Sequence, residues 1–129
     1  MHTYTAKDFR DLDPDALKAL GSKRLTPQIT SYRTDKRGSV KQSEVLIDFG
    51  AYSIALVPDT AAALLIGMVA GRCDAFQVWR ETKDYSAQVN RYVSGDGAQH
   101  RKRGPSPLAA ALAAYGEMVR SEKGAGDAH

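Results

Sequence analysis

The alternation of apolar and polar positions predicts a run of strands in the first half of the chain. Val45, Ile47 and Phe49 fall on one face of the segment 40–49, and most of its other face is polar, which is the period of a half-buried strand. The polar, glycine-containing stretch Asp35–Ser39 predicts a hairpin loop before it. The three predicted strands cover residues 29–32, 40–49 and 52–57. Together they indicate an antiparallel meander with one face on the core.

A short helix is predicted before these strands from its capping residues. Asp13 suits the N-cap, Pro14 suits the first helical position, and Gly21 suits the left-handed position after the helix ends. The expected helix at 14–20 is too short to be stable without packing against the rest of the protein.

A second helix is predicted after Pro58, which ends the third strand. Asp59 is expected to cap it, and Gly71 is expected to serve as its C-cap. Because Ala61–Ile66 is apolar on nearly every side, this helix should be deeply buried. Gly67 is expected to allow close contact between the helix and the sheet.

The segment 74–94 fits two patterns. Its apolar spacing allows a helix, whereas β-forming residues cluster at 76–79 and 88–93, and we favour two strands on that ground. Residues 95–105 are then predicted to form a loop.

A final helix is predicted from Pro107, with Ser106 as its N-cap. Residues from Ser121 onward are expected to fray. The apolar stripe of this helix consists of Leu108, Leu112, Tyr115 and Val119.

These elements predict the order α-β-β-β-α-β-β-α in a single domain over residues 1–129. Short connections favour antiparallel pairing of neighbouring strands, with the helices on one face. The expected fold class is α+β, as a two-layer sandwich with a mostly antiparallel sheet of about five strands.

Composition excludes several classes of protein. The chain has 129 residues, 43% hydrophobic and 26% charged, as in ordinary globular domains. The longest apolar run, Ala61–Ala70, has about half the length of a membrane span, and the first residues lack the pattern of a signal peptide. The single cysteine, Cys73, leaves no intramolecular disulfide and no thiolate zinc site. We expect a reduced, cytoplasmic protein that does not contact a membrane.

Basic residues are concentrated in two places, although the net charge is only +3. One group lies between Lys23 and Lys41 and the other at 100–103, and both are predicted to be displayed by loops at the protein surface. The alternative is that these residues are solvated turns that bind nothing. The predicted partner-binding residues are Arg33, Lys36, Arg37, His100, Arg101, Lys102 and Arg103.

No catalytic arrangement is recognisable in the sequence. His2 and His129 lie at the ends of the chain, and His100 has no carboxylate nearer in sequence than Asp96. Nucleophilic catalysis needs a base held beside its nucleophile, and neither metal-ligand spacing nor a phosphate-binding glycine motif is present. We expect no enzyme activity, no metal and no cofactor.

Nucleic acid is the alternative class of partner. The predicted α-β-β-β-α opening has the order of double-stranded RNA-binding domains, which carry lysines at the start of their second helix. Residues 59–62, at the matching position, are acidic and apolar. A looser interpretation places phosphates on the basic residues and stacks Tyr32 or Trp79 on bases, although both aromatic residues also suit ordinary packing. Sequence-independent nucleic-acid binding is therefore the second hypothesis.

The segments 57–61 and 105–115 resemble small phage-encoded α/β sandwich accessory proteins, because both are proline-marked entries into apolar or alanine-rich helices. This resemblance implies a phage or mobile-element protein that binds and inhibits a host component, and it assigns no residue to that role. The leading hypothesis is a non-catalytic binding protein whose basic face meets a host protein or a nucleotide-like, anionic ligand. A homodimer is also expected, through the final helix, with Tyr115 and Met118, or through an edge strand.

Overall fold

The computed structural model describes residues 2–34, 38–93 and 96–127. The structure is α+β, as the sequence predicts, and its strands are antiparallel. The elements in chain order are a 3-10 helix (Ala6–Phe9), α1 (Pro14–Ala19), β1 (Arg24–Thr34), β2 (Gly38–Asp48), β3 (Ser53–Leu56), α2 (Pro58–Gly71), β4 (Ala75–Arg80), β5 (Tyr85–Val93), β6 (Asp96–Gly104) and α3 (Pro107–Asp127).

The strands form two three-stranded sheets, so the prediction of a single sheet of about five strands is wrong. Sheet A has the order β1-β2-β3 and sheet B has the order β4-β5-β6. The break coincides with α2, which separates the two groups of strands along the chain. Strands joined by short loops pair readily, whereas the long helical connection allows β4 to start a new sheet.

β6 lies where residues 95–105 were predicted to form a loop. It pairs with β5 from Val93↔Asp96 to Tyr85↔Gly104. The strand contains no β-branched residue and no Phe, Tyr or Trp, so local propensity gives no sign of it. Its position at the edge of sheet B explains this composition, because charged side chains are tolerated at an edge and discourage further pairing.

α1 has the capping that its sequence predicts. The side chain of Asp13 accepts hydrogen bonds from the amides of Asp15 and Ala16, both at 3.1 Å. Gly21 has a φ of +89°, the left-handed conformation expected after the end of this helix.

α2 differs from its prediction at both ends and in its packing. Its N-cap is Val57, and Pro58 takes the first helical position, so Asp59 is not the cap. Proline suits that position because its fixed φ matches a helix. Gly71 is the last helical residue rather than a left-handed C-cap. Gly67 is exposed, and a side chain there would meet no atom within 4 Å, so the expected close contact with the sheet is absent at this position.

α3 begins as predicted and continues further than predicted. The hydroxyl of Ser106 accepts a hydrogen bond in the first turn, at 3.1 Å. The helix runs to Asp127, and the fraying expected from Ser121 stays a prediction. In this last part of the helix, Glu122 forms an ion pair of 2.8 Å with Arg91 of β5, which holds the helix against sheet B.

The hydrophobic core is centred on α3, which packs against sheet B, α1 and α2. Tyr115 and Met118 are almost fully buried, so the predicted stripe of the final helix cannot be a self-association surface. The other large core side chains include Val45 and Ile47 of sheet A, Leu65 and Val69 of α2, Val89 of sheet B, and Leu108 and Leu112 of α3.

Candidate partner-binding surface

The hairpin of β1 and β2 extends beyond the body of the protein. The two strands pair from Arg24↔Asp48 to Thr34↔Gly38, whereas β3 pairs with β2 only at residues 45–48. We call residues 29–34 and 38–43 the outer hairpin. Its described side chains are all exposed except that of Thr30, which is intermediate. Of the hairpin loop predicted at Asp35–Ser39, residues 35–37 lie outside the described residues, whereas Gly38 and Ser39 belong to β2.

The outer hairpin has two chemically different faces, because side chains alternate along each strand. Ile29, Arg33 and Lys41 share the face that continues the buried side of sheet A, and Tyr32 lies opposite Val40 on the other face. Ile29 is 71% exposed and Val40 is 50% exposed. We call the face that carries Ile29, Arg33 and Lys41 the Ile29 face. This face combines two cations with one exposed aliphatic side chain, and its other positions in the outer hairpin are serines.

A small polar network braces the opposite face of the hairpin. The hydroxyl of Tyr32 donates to Oε2 of Glu44 at 2.8 Å. Hydrogen bonds from Thr30 and Tyr32 lower the pKa of Glu44. The hydrogen bond between Tyr32 and Glu44 also raises the pKa of Tyr32. Because Glu44 sits near the base of the hairpin and is only 7% exposed, this contact ties the projecting ribbon to the body.

One of the predicted binding residues belongs to the outer hairpin. Arg33 lies on the Ile29 face of β1. Lys36 and Arg37 lie outside the described residues. Ile29 and Lys41 were not predicted to belong to the site. A β-forming segment does not indicate which of its side chains stay exposed once the protein has folded.

The predicted basic cluster at 100–103 does not form one basic face. These residues lie in β6, so they alternate, with Arg101 and Arg103 on one side of sheet B and His100 and Lys102 on the other. The prediction that they are displayed together by a loop is therefore wrong.

Most of these side chains also have partners within the protein. Arg103 pairs with Asp84 at 2.9 Å, and Lys102 pairs with Glu117 of α3 at 3.6 Å. The guanidinium carbon of Arg101 lies 4.6 Å from the centre of the Trp79 ring. The ion pairs with Asp84 and Glu117 therefore offset the charges of Arg103 and Lys102, whereas Arg101 keeps its positive charge.

Arg101 and Arg103 face a polar groove of about 460 Å³ on the open side of sheet B. Trp79 Nε1 and the Ser86 hydroxyl both donate to Oε1 of Glu81, at 2.8 Å and 2.9 Å. These two bonds lower the pKa of Glu81. Both hydrogen bonds hold the Glu81 carboxylate in place. The groove therefore contains a negative charge beside its two arginines and is not uniformly positive.

The cysteine and histidine side chains considered in the sequence analysis do not form a cluster. Burial raises the pKa of the Cys73 thiol. His2 forms a contact of 3.0 Å with Asp8 and packs edge-on against the rings of Tyr4 and Tyr85. Among the described residues, no group of three or more His, Cys, Asp and Glu side chains could hold a metal ion, and no helix is long and apolar enough to cross a membrane.

Comparisons with protein-family models, curated proteins and solved structures found no match to this chain.

Proposed function

We propose that this chain is a non-catalytic binding protein that contacts an acidic protein surface through the Ile29 face of its outer hairpin. The observation that carries this proposal is the exposure of Ile29, at 71%, on a ribbon that projects from the body. An exposed aliphatic side chain beside two cations resembles an apolar anchor with a charged rim.

The hairpin has the rigidity that such a role requires. A two-stranded ribbon alone is marginally stable in water, but here its inner half belongs to sheet A and Glu44 holds Tyr32 against it. A preformed contact element loses little conformational freedom on binding. Burying the Ile29 side chain in a partner would contribute about 1.5–3 kcal/mol.

The charges of the Ile29 face favour an anionic partner. Arg33 and Lys41 form no ion pair with any residue that the structure describes. Binding therefore breaks no ion pair among the described residues, and the two cations can speed the encounter with an acidic surface.

The biological setting remains the one implied by the sequence. A small binding protein with a projecting hairpin suits an inhibitor encoded by a phage or mobile element, acting in the cytoplasm on a host protein. The likeness of segments 57–61 and 105–115 to phage accessory proteins supports this setting.

Sequence-independent nucleic-acid binding is the second candidate, and the shape of the hairpin favours it. Two-stranded ribbons enter DNA grooves, and cations on such a ribbon can contact phosphates. The two candidates differ in what Ile29 does, because phosphate contacts do not use an aliphatic side chain.

The test compares two serine substitutions on opposite faces of the same hairpin. Full-length wild type, Ile29→Ser and Val40→Ser are each used to capture proteins from nuclease-treated host lysate, with quantification by mass spectrometry. We expect one protein to be recovered by wild type and Val40→Ser, and to be reduced about tenfold or more with Ile29→Ser.

A parallel titration against a labelled DNA duplex separates the two candidates. Nucleic acid would replace the protein partner if the duplex binds tightly and its binding weakens steeply with salt. In that case Ile29→Ser leaves the binding of the duplex unchanged, and the double variant Arg33→Glu with Lys41→Glu abolishes it. Equal capture by Ile29→Ser and wild type would remove the Ile29 face from the proposal.

A further inference from the structure

A second surface lies between the 3-10 helix, α1 and the start of β1. It is a groove of about 630 Å³, a volume within the range of about 300–1,000 Å³ typical of ligand clefts. Phe9, Leu12, Leu17 and Leu25 supply its apolar lining. All four belong to the hydrophobic core or pack against it, so the floor of the groove is fixed by the fold.

Cations outnumber carboxylates around this apolar floor. Lys18, Lys23 and Arg24 line the groove and are exposed. None of the three forms an ion pair with a residue in the described ranges, and Asp11 is the carboxylate of the lining. An anionic occupant would therefore gain charge contacts without displacing an existing pair.

The backbone at one wall of the groove is held in an unfavourable conformation. Asp11 has a φ of +57°, and within the described part of the chain it is the one residue other than glycine with a positive φ. Aspartate tolerates this conformation better than most residues, but it is still disfavoured. Such strain is concentrated at binding sites, and here it immediately precedes Leu12, part of the floor.

The groove also runs along an open strand edge. Arg24 and Leu25 are the first residues of β1, which lies at the edge of sheet A. Backbone groups on an open edge can pair with an extended peptide. Pro27 has no N–H and therefore limits such pairing to a few residues. The occupant that fits is a short peptide rather than a long added strand.

We propose that this groove binds a short acidic peptide segment of a partner protein. One bulky apolar side chain of the segment rests on the floor formed by Leu17 and Leu25, and its carboxylates meet Lys18, Lys23 and Arg24. The site goes beyond the function proposed for the outer hairpin, and it uses none of the residues of that surface.

The test begins with a selection of random-sequence peptides displayed on phage, using the purified full-length chain as bait. The most enriched peptide is then synthesised with fluorescein, and its Kd is measured by anisotropy. We expect enriched peptides to combine several carboxylates with one bulky apolar residue. The double variant Lys18→Glu with Arg24→Glu should raise Kd about tenfold or more.

Two controls make the result specific to the groove. Lys83→Glu with Lys123→Glu changes the net charge equally at exposed positions elsewhere, and it should change Kd by less than about twofold. Ile29→Ser should leave Kd unchanged.

Enrichment without an acidic consensus, or binding that survives the reversal at Lys18 and Arg24, would overturn the groove site. Loss of binding with Ile29→Ser alone would move the peptide to the outer hairpin, which contradicts this inference while supporting the proposed function.

Discussion

Asp13 shows how one side chain connects separate parts of this protein. It caps α1, and both of its carboxylate oxygens lie 3.0 Å from Nη1 of Arg120 in α3. The same guanidinium nitrogen lies 2.9 Å from Asp15. Hydrogen bonds from Arg120 to Asp15 and Asp13 raise the pKa of the arginine. These contacts hold a six-residue helix that is too short to be stable alone.

The two roles of Asp13 differ in how far the sequence reveals them. Capping is local, so the run of Asp13 and Pro14 predicts it. The pairing with Arg120 joins residues 107 positions apart, and a single sequence contains no local signal for such a contact.

Tyr4 is expected to make stability depend on pH in the alkaline range. Burial raises the pKa of Tyr4 from 10.0 to about 12, and the amide of Leu108, which donates to its hydroxyl, opposes this shift. The folded state therefore holds the proton more tightly than the unfolded state. This contribution to stability is complete below pH 10 and is lost as the pH rises toward about 12.

Urea unfolding of wild type and Tyr4→Phe across this pH range measures the effect. The variant should be less stable at neutral pH, because Leu108 loses its acceptor, but its stability should fall less between pH 10 and 12. Tyr52→Phe, at a tyrosine that is 62% exposed, is the matched control. Parallel curves for wild type and Tyr4→Phe would contradict this role of Tyr4.

At the level of elements, two glycines allow α3 to approach its neighbours. A Cβ on Gly104 of β6 would lie 2.7 Å from the backbone nitrogen of Ala110. A Cβ on Gly116 of α3 would collide with the carboxylate of Asp13. The sequence instead predicted a close contact at Gly67, between α2 and the sheet, where a Cβ would meet no atom within 4 Å.

We expect Gly104→Ala to lower the free energy of unfolding by about 1–3 kcal/mol, because β6 or α3 must shift to accommodate the methyl group. Gly67→Ala is the matched control at an exposed helical position with open space around it, and it should raise stability by about 0.5–1 kcal/mol. Urea unfolding measures both. Equal effects of the two substitutions would contradict the close approach at Gly104.

The success of the sequence predictions varied with the physical origin of each element. β2 and α1 were predictable because alternation and capping are local properties. β6 was not, because a polar edge strand depends on its neighbour rather than on its own propensity. The division into two sheets was also hidden, since it depends on which strands meet in space after α2.

The two surfaces proposed to bind partners could be predicted only in part, for the same reason. Arg33, which was predicted from its charge, lies in β1 of the outer hairpin, whereas Arg101, Lys102 and Arg103 were grouped by their adjacency in sequence. In a strand, adjacency places neighbours on opposite faces. The apolar floor around Leu17 and Leu25 could not be inferred, because helix and strand contribute to it separately.

For the whole molecule, we expect a homodimer formed through β4. This strand lies at the edge of sheet B, its sequence AFQVWR is rich in β-forming residues, and Arg80 is its one charged residue. The opposite edge, β6, is protected by its charges. Antiparallel pairing of β4 with its copy would extend sheet B across the dimer.

Light scattering at micromolar concentrations should therefore give about twice the mass of the 14.0 kDa chain. Gln77→Lys places a cation on an exposed position of β4. It should shift the equilibrium to monomer, because the introduced lysines of the two subunits would repel each other across the interface. Gln99→Lys on β6 should have no effect. A mass of 14.0 kDa for the wild type would contradict the dimer.

The dependence of the first residues on α3 has a consequence for how the protein is synthesised. Tyr4 meets Leu108, and Asp13 meets Arg120, at separations of 104 and 107 residues. At about 5–20 residues per second, these first residues wait roughly 5–20 s on the ribosome before their partners are made. Once α2 has been made, it lacks α3, which packs against it in the folded protein, and its apolar surface is available to chaperones until α3 follows. The contacts of Tyr4 and Asp13 with α3 can form only after α3 has left the ribosome.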